Sequence, residues 1–409
     1  MSVMIDISRF LSFLSLGRKH EDSLGRRSSF GTTAPIDYSV IACGLALLII
    51  GLVMVYSASI SLGDSPKYNT SEAYFATRQA IFILIGLFVS GILFKISVDT
   101  WYRFSYILGV FGILLLGAVF IPGLGVTVNG SVRWIGLGPI NVQVSEIVKY
   151  VSVLVIARFV VNRQYYMHSY TRGLIPVMLY IGLVAGLLSL QPDLGATVVI
   201  SAIVLGVAFL GGLRWRVIVP LAIALGIAII SSIVLSPWRT ARVFAYLNPW
   251  DIENQLGKAY QLTHSLIAFG RGELFGVGLG ASVEKMHYLP EAHTDFILAV
   301  IGEELGLVGF TLVLALFYWL VRRSFEIGRQ AVRLESVFAG LVAQGVGLWI
   351  GVQALINIGV ALGLLPTKGL TLPLVSYGGS SIVITLAALA LLLRVDYENR
   401  LLMRGKRKR

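Results

Sequence analysis

Cysteine and charged residues are both scarce in this chain of 409 residues. Cys43 is the only cysteine, so an intramolecular disulfide is excluded whichever compartment the loops face. Charged residues make up 13% of the chain and hydrophobic residues 56%, and the mean hydropathy is +0.82. A water-soluble domain of this length would carry far more charge on its surface. The composition therefore predicts an integral membrane protein.

Histidine is also rare, with five in the chain, and no HExxH motif or cysteine pair accompanies it. No dedicated transition-metal site is therefore expected. A divalent cation (Mg or Mn) held loosely by a pyrophosphate substrate would leave no such signature. The formal net charge is +12, but the basic residues stand at the ends of apolar runs and in the tails. That distribution indicates membrane topology and contact with membrane lipids, and no nucleic-acid binding.

Long apolar runs are the main structural signal, since about 20 residues are needed to cross a bilayer as a helix. Ten runs qualify, at residues 38–59, 79–96, 104–121, 143–161, 173–190, 194–212, 216–236, 295–320, 337–361 and 379–394. An even number of spans places both termini on one side, and the basic loops and tails make that side cytoplasmic. The predicted fold is an all-α, multi-pass bundle of ten transmembrane helices.

Three regions follow from this topology. Residues 1–36 form a basic cytoplasmic arm, residues 37–396 the ten-helix membrane domain, and residues 397–409 a basic cytoplasmic tail. Between the seventh and eighth spans, residues 237–294 form a large loop on the extracytoplasmic (periplasmic) face. Loops of this length are usually functional or disordered, and the aromatic residues in this one favour structure. Within it, the segment AYQLTHSLIAF predicts a helix lying in the membrane interface.

A carboxylate stands where the long loop meets the eighth span. The segment PEAHTDFILAVI places His293 and Asp295 directly before an apolar run. If the helix starts at Asp295, its dipole favours the ionised carboxylate while the apolar surroundings oppose ionisation, so the direction of the pKa shift stays open. Two interpretations compete: a catalytic base, and an N-terminal helix cap, which is the commoner role for such an acid.

Two further pairs of residues carry suitable chemistry. Arg133 and Trp134 lie in an outer loop, where Arg can bind a phosphate bidentately and Trp can stack on a sugar. The alternative for Trp134 is an interfacial aromatic belt. Glu146 and Lys149 are three residues apart in the fourth span, so they can pair on one helical face. A buried pair of this kind is either functional or structural.

The last outer loop reads PTKGLTLPLVSYGGSS and contains Lys368 and Ser376. Its Pro and Gly residues predict irregular backbone. Such backbone is tolerated at membrane depth only where it is buried in protein or lines a wet cavity. We therefore expect either a cavity or a packed re-entrant loop here.

These segments together resemble the SEDS family of bacterial cell-wall polymerases over residues 38–400. The motifs that carry the resemblance are NGSVRWIGLG, QVSEIVK, QPDLG, RVFAYLNPWD, YLPEAHTDFI, IGEELG and PTKGLTLPLVSYGGSS. The sequences PTKGLT and PEAHTDF resemble the division branch of the family more than the elongation branch. Val144, Ala196, Ile252 and Ala259 depart from residues common in the family, and none of these changes removes an ionisable group.

The resemblance implies peptidoglycan glycosyltransfer from lipid II at the outer face of the bacterial cytoplasmic membrane, with enrichment at the division septum. It assigns the essential aspartate to Asp295, the functional Arg-Trp pair to Arg133 and Trp134, and the polar pair to Glu146 and Lys149. An inverting single displacement needs one base and a cationic group to neutralise the departing pyrophosphate. The candidates for that cation are Arg133, Arg242, Lys149 and Lys368, and His293 and Ser376 complete the expected substrate-binding set.

The partners implied by the resemblance are lipid II, the growing glycan strand, a class B penicillin-binding protein and other proteins of the division machinery. Two alternatives of different class remain at this stage. Buried charges in a ten-span bundle also suit a lipid II flippase, and the basic termini also suit a non-catalytic scaffold of the division machinery.

Overall fold

The computed structural model of the protein describes residues 35–62, 71–128, 131–138, 140–167, 169–366 and 369–405. In chain order its regular elements are α1 Tyr38–Ser59, α2 Tyr74–Lys95, α3 Val98–Ala118, β1 Gly125–Val128, β2 Ser131–Leu137, β3 Ile140–Gln143, α4 Val144–Arg163, α5 Ile175–Leu190, α6 Leu194–Leu210, α7 Trp215–Val234, α8 Pro237–Leu247, α9 Ile252–Gln255, α10 Tyr260–Gly272, α11 Ile297–Arg333, α12 Val337–Ala361 and α13 Gly379–Met403. Single 3-10 turns at Ile60–Leu62 and Gln164–Tyr166 and a π-helical turn at Tyr170–Leu174 adjoin α1, α4 and α5.

Helices occupy each of the ten segments that the sequence predicts. Within the described ranges, seven of them are long and apolar enough to cross a membrane, namely α1, α2, α3, α5 (with the turn before it), α11, α12 and α13. Helix α6 is apolar but shorter. The protein is therefore a helical, multi-pass membrane protein, while the full count of ten spans stays a prediction. Helix α13 runs to Met403, so part of the tail predicted for 397–409 is helical.

The helices divide into an inner and an outer group. In the apolar windows of α11, α12 and α13, 61%, 72% and 78% of the residues are buried, against 11% in α2 and 22% in α3. An apolar surface left uncovered by protein is suited to contact with lipid tails. Many of the buried polar side chains lie on these inner helices, and polar residues inside a membrane protein usually face the bundle interior.

A small antiparallel sheet between α3 and α4 corrects the all-α prediction. Strand β2 pairs with β1 and β3 in the order β1-β2-β3. Apolar residues alternate along these strands, and the dipeptide Asn129-Gly130 stands between β1 and β2 in the sequence, which is a strong hairpin signal. The sheet is tied to the bundle because Gln143 N donates to Ser380 Oγ at the start of α13 (3.2 Å).

Helix α11 contains a break that the apolar pattern does not predict. Gly306 has φ 64° and ψ −163° inside the helix, a conformation that glycine alone adopts without strain. The segment 273–278 replaces the interrupted helical hydrogen bonds. Val277 N and Gly278 N donate to the carbonyls of residues 303 and 304, and the amides of residues 307 and 308 donate back to residues 273 and 274. The predicted span 295–320 is thus a short inner helix followed by a longer one.

The long loop 237–294 is folded, with α8, α9 and α10 between residues 237 and 272. Helix α10 confirms the helix predicted from AYQLTHSLIAF. It packs against α11, with Leu262 and Ala268 buried, so protein covers one of its faces. This packing holds the second half of the loop against the inner helices, where Asp295 lies.

Candidate active site

Asp295 lies in a turn two residues before α11 and not in its first helical turn, which corrects the sequence prediction. The amides of Thr294 and Phe296 both donate to Glu291 O, at 3.1 and 3.2 Å, and the Thr294 hydroxyl donates to Glu291 Oε2 at 2.7 Å. The N-cap residue of α11 is Phe296, without a side-chain capping hydrogen bond. The capping interpretation of Asp295 is therefore wrong, and its half-buried carboxylate needs another role.

The carboxylate of Asp295 faces the last outer loop. A Cβ placed on Gly369 would lie 3.2 Å from Asp295 Oδ2. The backbone is held from α12, where Asn357 Nδ2 donates to Asp295 O at 2.9 Å. Two segments far apart in the sequence thus meet at one point, as the clustering of motifs suggested. Lys368, next to Gly369 in the chain, lies outside the described residues.

The surroundings of Asp295 settle the direction of its pKa shift. Burial is the largest cause and the nearby Glu291 carboxylate the next, and together they raise the pKa of Asp295 to about 7 against the opposing effect of Arg133. Desolvation and a like charge both disfavour the ionised form. The result is a carboxylate whose proton affinity matches neutral pH, as a general base requires.

Arg133 is the cation that acts on Asp295, and strand β2 positions it. Its Nε donates to Gln191 O at 3.0 Å, and its Nη2 donates to Pro192 O at 2.8 Å and to Ser131 Oγ at 3.2 Å. The turn between α5 and α6 therefore fixes the guanidinium by its backbone carbonyls. The side chain stays partly exposed, so donors remain available to an anionic ligand.

Trp134 follows Arg133 on β2 and points to the opposite face of the sheet, because side chains alternate along a strand. It pairs with Val126 on β1 and Gln143 on β3. Its side chain is partly exposed. The sheet, which the sequence analysis missed, is thus what separates the roles of two adjacent residues.

Glu146 and Lys149 form the predicted pair in α4, at 2.8 Å. Lys149 Nζ also donates to Gln353 Oε1 at 2.7 Å and lies 5.6 Å from the centre of the Trp349 ring. Lys149 is 0% exposed. This ammonium is enclosed by protein, so it lies behind the site and not in a position to touch a ligand.

His293 is packed between aromatic rings. Its ring centre lies 4.7 Å from that of Phe75 and 5.6 Å from that of Tyr377. Burial lowers the pKa of His293, and the charge of Glu291 opposes that shift. A neutral, buried imidazole in this position favours packing of the loop over binding of a phosphate.

The other three predicted binding residues are not brought to the site by described contacts. Ser376 is buried and its hydroxyl accepts from Leu372 N at 2.8 Å, so it shapes the loop. Arg242 is on α8, but its side chain, like all of Lys368, lies outside the described residues. Their roles stay predictions.

A second polar cluster, missed by the sequence analysis, sits at the break in α11. Glu304 pairs with Lys285 at 2.7 Å and accepts from Ser57 Oγ at 2.7 Å. Glu303 pairs with Arg271 at 3.2 Å. The motif IGEELG is recognisable in the sequence. Nothing in the motif itself indicates that its two carboxylates bind residues of the long loop. The cluster anchors the inner half of α11, at the other end from Asp295.

In the part of the chain that the structure describes, no group of three or more His, Cys, Asp or Glu side chains is placed to hold a metal ion. A divalent cation carried by a pyrophosphate substrate stays a prediction, since phosphate oxygens supply many of its ligands.

Fold and site together define a polytopic helical membrane protein with a carboxylate-centred site at one end of its inner helices. The chain belongs to the FtsW, RodA and SpoVE family of cell cycle proteins, whose family model matches residues 37–401. Within that family it is similar to FtsW proteins. It is 55% identical to the probable peptidoglycan glycosyltransferase FtsW of Burkholderia thailandensis, over 93% of this chain and 83% of the relative.

Two solved structures are similar over 89% of this chain. One belongs to a study of the structural coordination of polymerization and crosslinking by a peptidoglycan synthase complex, with 28% identity, a TM-score of 0.71 and 98% of that chain covered. The other is the rod shape determining protein RodA of Thermus thermophilus, with 28% identity, a TM-score of 0.64 and 97% of that chain covered. These similarities span almost the whole membrane domain.

Proposed function

We propose that this protein is a peptidoglycan glycosyltransferase of the cell-division machinery, which polymerises lipid II at the outer face of the bacterial cytoplasmic membrane. The observation that carries the proposal is Asp295, a half-buried carboxylate with a pKa of about 7 beside an arginine. The relatives named as probable peptidoglycan glycosyltransferases support the substrate class. Both substrates are anchored by polyprenyl tails, which suits an enzyme embedded in the membrane.

In the proposed reaction Asp295 takes the proton from the 4-hydroxyl of the acceptor sugar. That oxygen attacks the anomeric carbon of the donor, and the bond from this carbon to the pyrophosphate oxygen breaks with inversion. The electron pair leaves with the polyprenyl pyrophosphate. A base of this kind contributes about 10²–10⁴ in rate, and single displacement needs no covalent intermediate.

Arg133 is the leading candidate to neutralise the departing pyrophosphate. It is partly exposed and its charge already acts on Asp295, whereas Lys149 is enclosed. Trp134 offers a ring for stacking on a sugar. Stabilising charge that develops on the leaving group is often the largest single contribution to such a reaction.

The proposed partner is a class B penicillin-binding protein that crosslinks the new strand. The similarity to a chain from a peptidoglycan synthase complex supports this assignment. Septal enrichment, cytoplasmic termini and contacts with other division proteins belong to the same proposal.

The test is polymerisation of lipid II by the purified full chain with its transpeptidase partner, comparing wild type with Asp295→Asn. We expect the variant to lose about 10²-fold or more of the rate while its yield and thermal unfolding are retained. Asp99→Asn is the matched control, because Asp99 is an exposed acid paired with Arg103. A wild-type rate for Asp295→Asn would overturn the assignment of the base.

A lipid II flippase is the second candidate, because transporters often place buried charges beside a broken helix, as Glu303 and Glu304 lie beside Gly306. An assay in detergent separates the two functions, since detergent micelles have no two sides to cross. Polymer formed there requires an enzyme. A pure scaffold would tolerate Asp295→Asn in cell division.

A further inference from the structure

We infer that Asn357 and Gln353, one turn apart on α12, are positioning residues that hold Asp295 and the last outer loop in register with each other. Asn357 Nδ2 donates to Asp295 O at 2.9 Å and to Leu370 O at 2.6 Å. Asn357 is 1% exposed. One amide group thereby joins two segments that are far apart in the sequence. The inference rests on the proposed role of Asp295 as the base.

Gln353 repeats this arrangement one helical turn earlier. Its Nε2 donates to Thr371 O at 2.9 Å. Its Oε1 accepts from Lys149 Nζ at 2.7 Å and from Trp349 Nε1 at 2.9 Å. Residues four apart share one face of a helix, so both amides point to the same loop. The loop carbonyls at residues 370 and 371 are therefore both fixed by side chains of α12.

These two carbonyls directly follow Gly369, the residue whose backbone faces the Asp295 carboxylate. Fixing them fixes the width of the gap between Gly369 and Asp295 Oδ2, because Thr371 is only two residues after Gly369 in the chain. Asn357 fixes the other side of the gap through the backbone of Asp295. A misplacement of about 1 Å in such a constellation can cost about 10²-fold in rate.

The same network gives the Glu146 and Lys149 pair a role that needs no contact with substrate. Lys149 Nζ is bound by Glu146 Oε1 and Gln353 Oε1, and Lys149 is fully enclosed. The pair orients Gln353, since an ammonium accepts no hydrogen bond and selects the amide oxygen. The amide nitrogen is then directed to Thr371 O. The pair thus acts on Asp295 through Gln353 and the loop.

A purely structural role for the amides would produce a different pH dependence. Burial is the first cause of the raised pKa of Asp295, so opening the gap to water should lower that pKa. The charged groups around the carboxylate are Glu291 and Arg133, with neutral His293 two residues away and Lys368 outside the described residues. Loss of either amide leaves these charges in place. The acid limb of the pH–rate profile is the range in which the rate falls with falling pH. A shift of this limb therefore reports hydration of the gap.

The experiment compares Asn357→Leu with wild type, using the full chain with its transpeptidase partner. Leucine has a similar volume and donates no hydrogen bond. We expect kcat to fall by between about 10-fold and 100-fold, with a much smaller change in KM, and the acid limb to move to lower pH. Gln353→Met should shift the limb in the same direction by less, because it releases one loop carbonyl and leaves the Asp295 backbone held.

Gln344→Leu is the matched control, since Gln344 is another buried amide on α12 that lies about 20 Å along the helix from Asn357 at 1.5 Å per residue. It should leave both kcat and the acid limb unchanged. If Asn357→Leu does not fold, the test rests on Gln353→Met. An acid limb at the wild-type pH in that variant would overturn the inference. So would a loss of rate in Asn357→Leu with an unshifted limb.

The failure of this inference differs from failure of the proposed function. Wild-type activity in Asp295→Asn would show that Asp295 is not the base, and the proposed function would fail with it. An inactive Asp295→Asn together with a wild-type rate and limb in Asn357→Leu removes only the positioning role. Lower stability in Asn357→Leu with a wild-type pH profile assigns the amide to folding and likewise overturns the inference.

Discussion

Lys285 and Glu304 form an ion pair at 2.7 Å in which Lys285 is 5% exposed and Glu304 0%. Ser57 of α1 joins them, since its hydroxyl donates to Glu304 Oε1 at 2.7 Å and Lys285 Nζ donates to Ser57 Oγ at 2.9 Å. The contact connects the long loop, the break in α11 and α1. It anchors the short helix that begins just after Asp295.

Removing one partner of this pair should be strongly destabilising. Glu304→Leu leaves the Lys285 ammonium buried without a counter-ion, at a cost of about 3–5 kcal/mol. The midpoint of thermal unfolding in detergent measures the loss. The double variant Glu304→Leu with Lys285→Met should recover much of it, because apolar replacements of a whole buried pair are often tolerated. Asp99→Ala, at an exposed pair, should cost at most about 1 kcal/mol. Equal effects of Glu304→Leu and Asp99→Ala would contradict the prediction.

The rate of polymerisation should depend on pH through Asp295. A base must be ionised to act, and the pKa of Asp295 is raised to about 7, so the rate should fall about tenfold per pH unit below about pH 7 and level off above it. Glu291→Gln removes a charge that raises the pKa and should move the acid limb to lower pH. Arg133→Gln removes a charge that lowers it and should move the limb to higher pH. Initial rates at limiting lipid II, measured from about pH 5 to about pH 9, test both signs.

The two variants control for each other because they alter charges of opposite sign. Gln at position 291 keeps an oxygen that can accept the hydroxyl hydrogen bond of Thr294, so the turn should be preserved. Arg133→Gln will also lower the rate at every pH if Arg133 binds the pyrophosphate. The position of the limb is independent of that loss. Limbs that move in the same direction would show that charge is not the cause.

Apolar composition predicts the helices of this protein well, because a long apolar run has few stable alternatives in a bilayer. The sheet β1–β3 was missed for a related reason. Its alternating residues lie between two long runs, where the search for spans treats everything polar as a loop. The dipeptide Asn129-Gly130 and the alternation on either side were sufficient to predict a hairpin.

The candidate site was only partly predictable. Asp295, Arg133 and the loop after Lys368 were identified from residue types and motifs, and the structure places the described ones together. The capping alternative for Asp295 could be rejected only once the first residue of α11 was known. The hydrogen bonds of Asn357 depend on which segments α12 packs against, and a single sequence carries no information on that packing.

Gly306 offers the sharpest test of the broken helix. Its conformation, φ 64° and ψ −163°, is one that glycine alone adopts freely, and other residues there lose about 1–3 kcal/mol. In Gly306→Ala the new Cβ would also meet Leu274 O at 2.6 Å and the backbone amide of Gly276. We expect the unfolding midpoint to fall and polymerisation to be lost together, since both halves of α11 would have to shift. Gly182→Ala in α5 is the control, because its Cβ would meet nothing within 4 Å and alanine favours a helix by about 1 kcal/mol. If Gly306→Ala keeps the stability of wild type, the helix is continuous at this point, and the hydrogen bonds from segment 273–278 do not form.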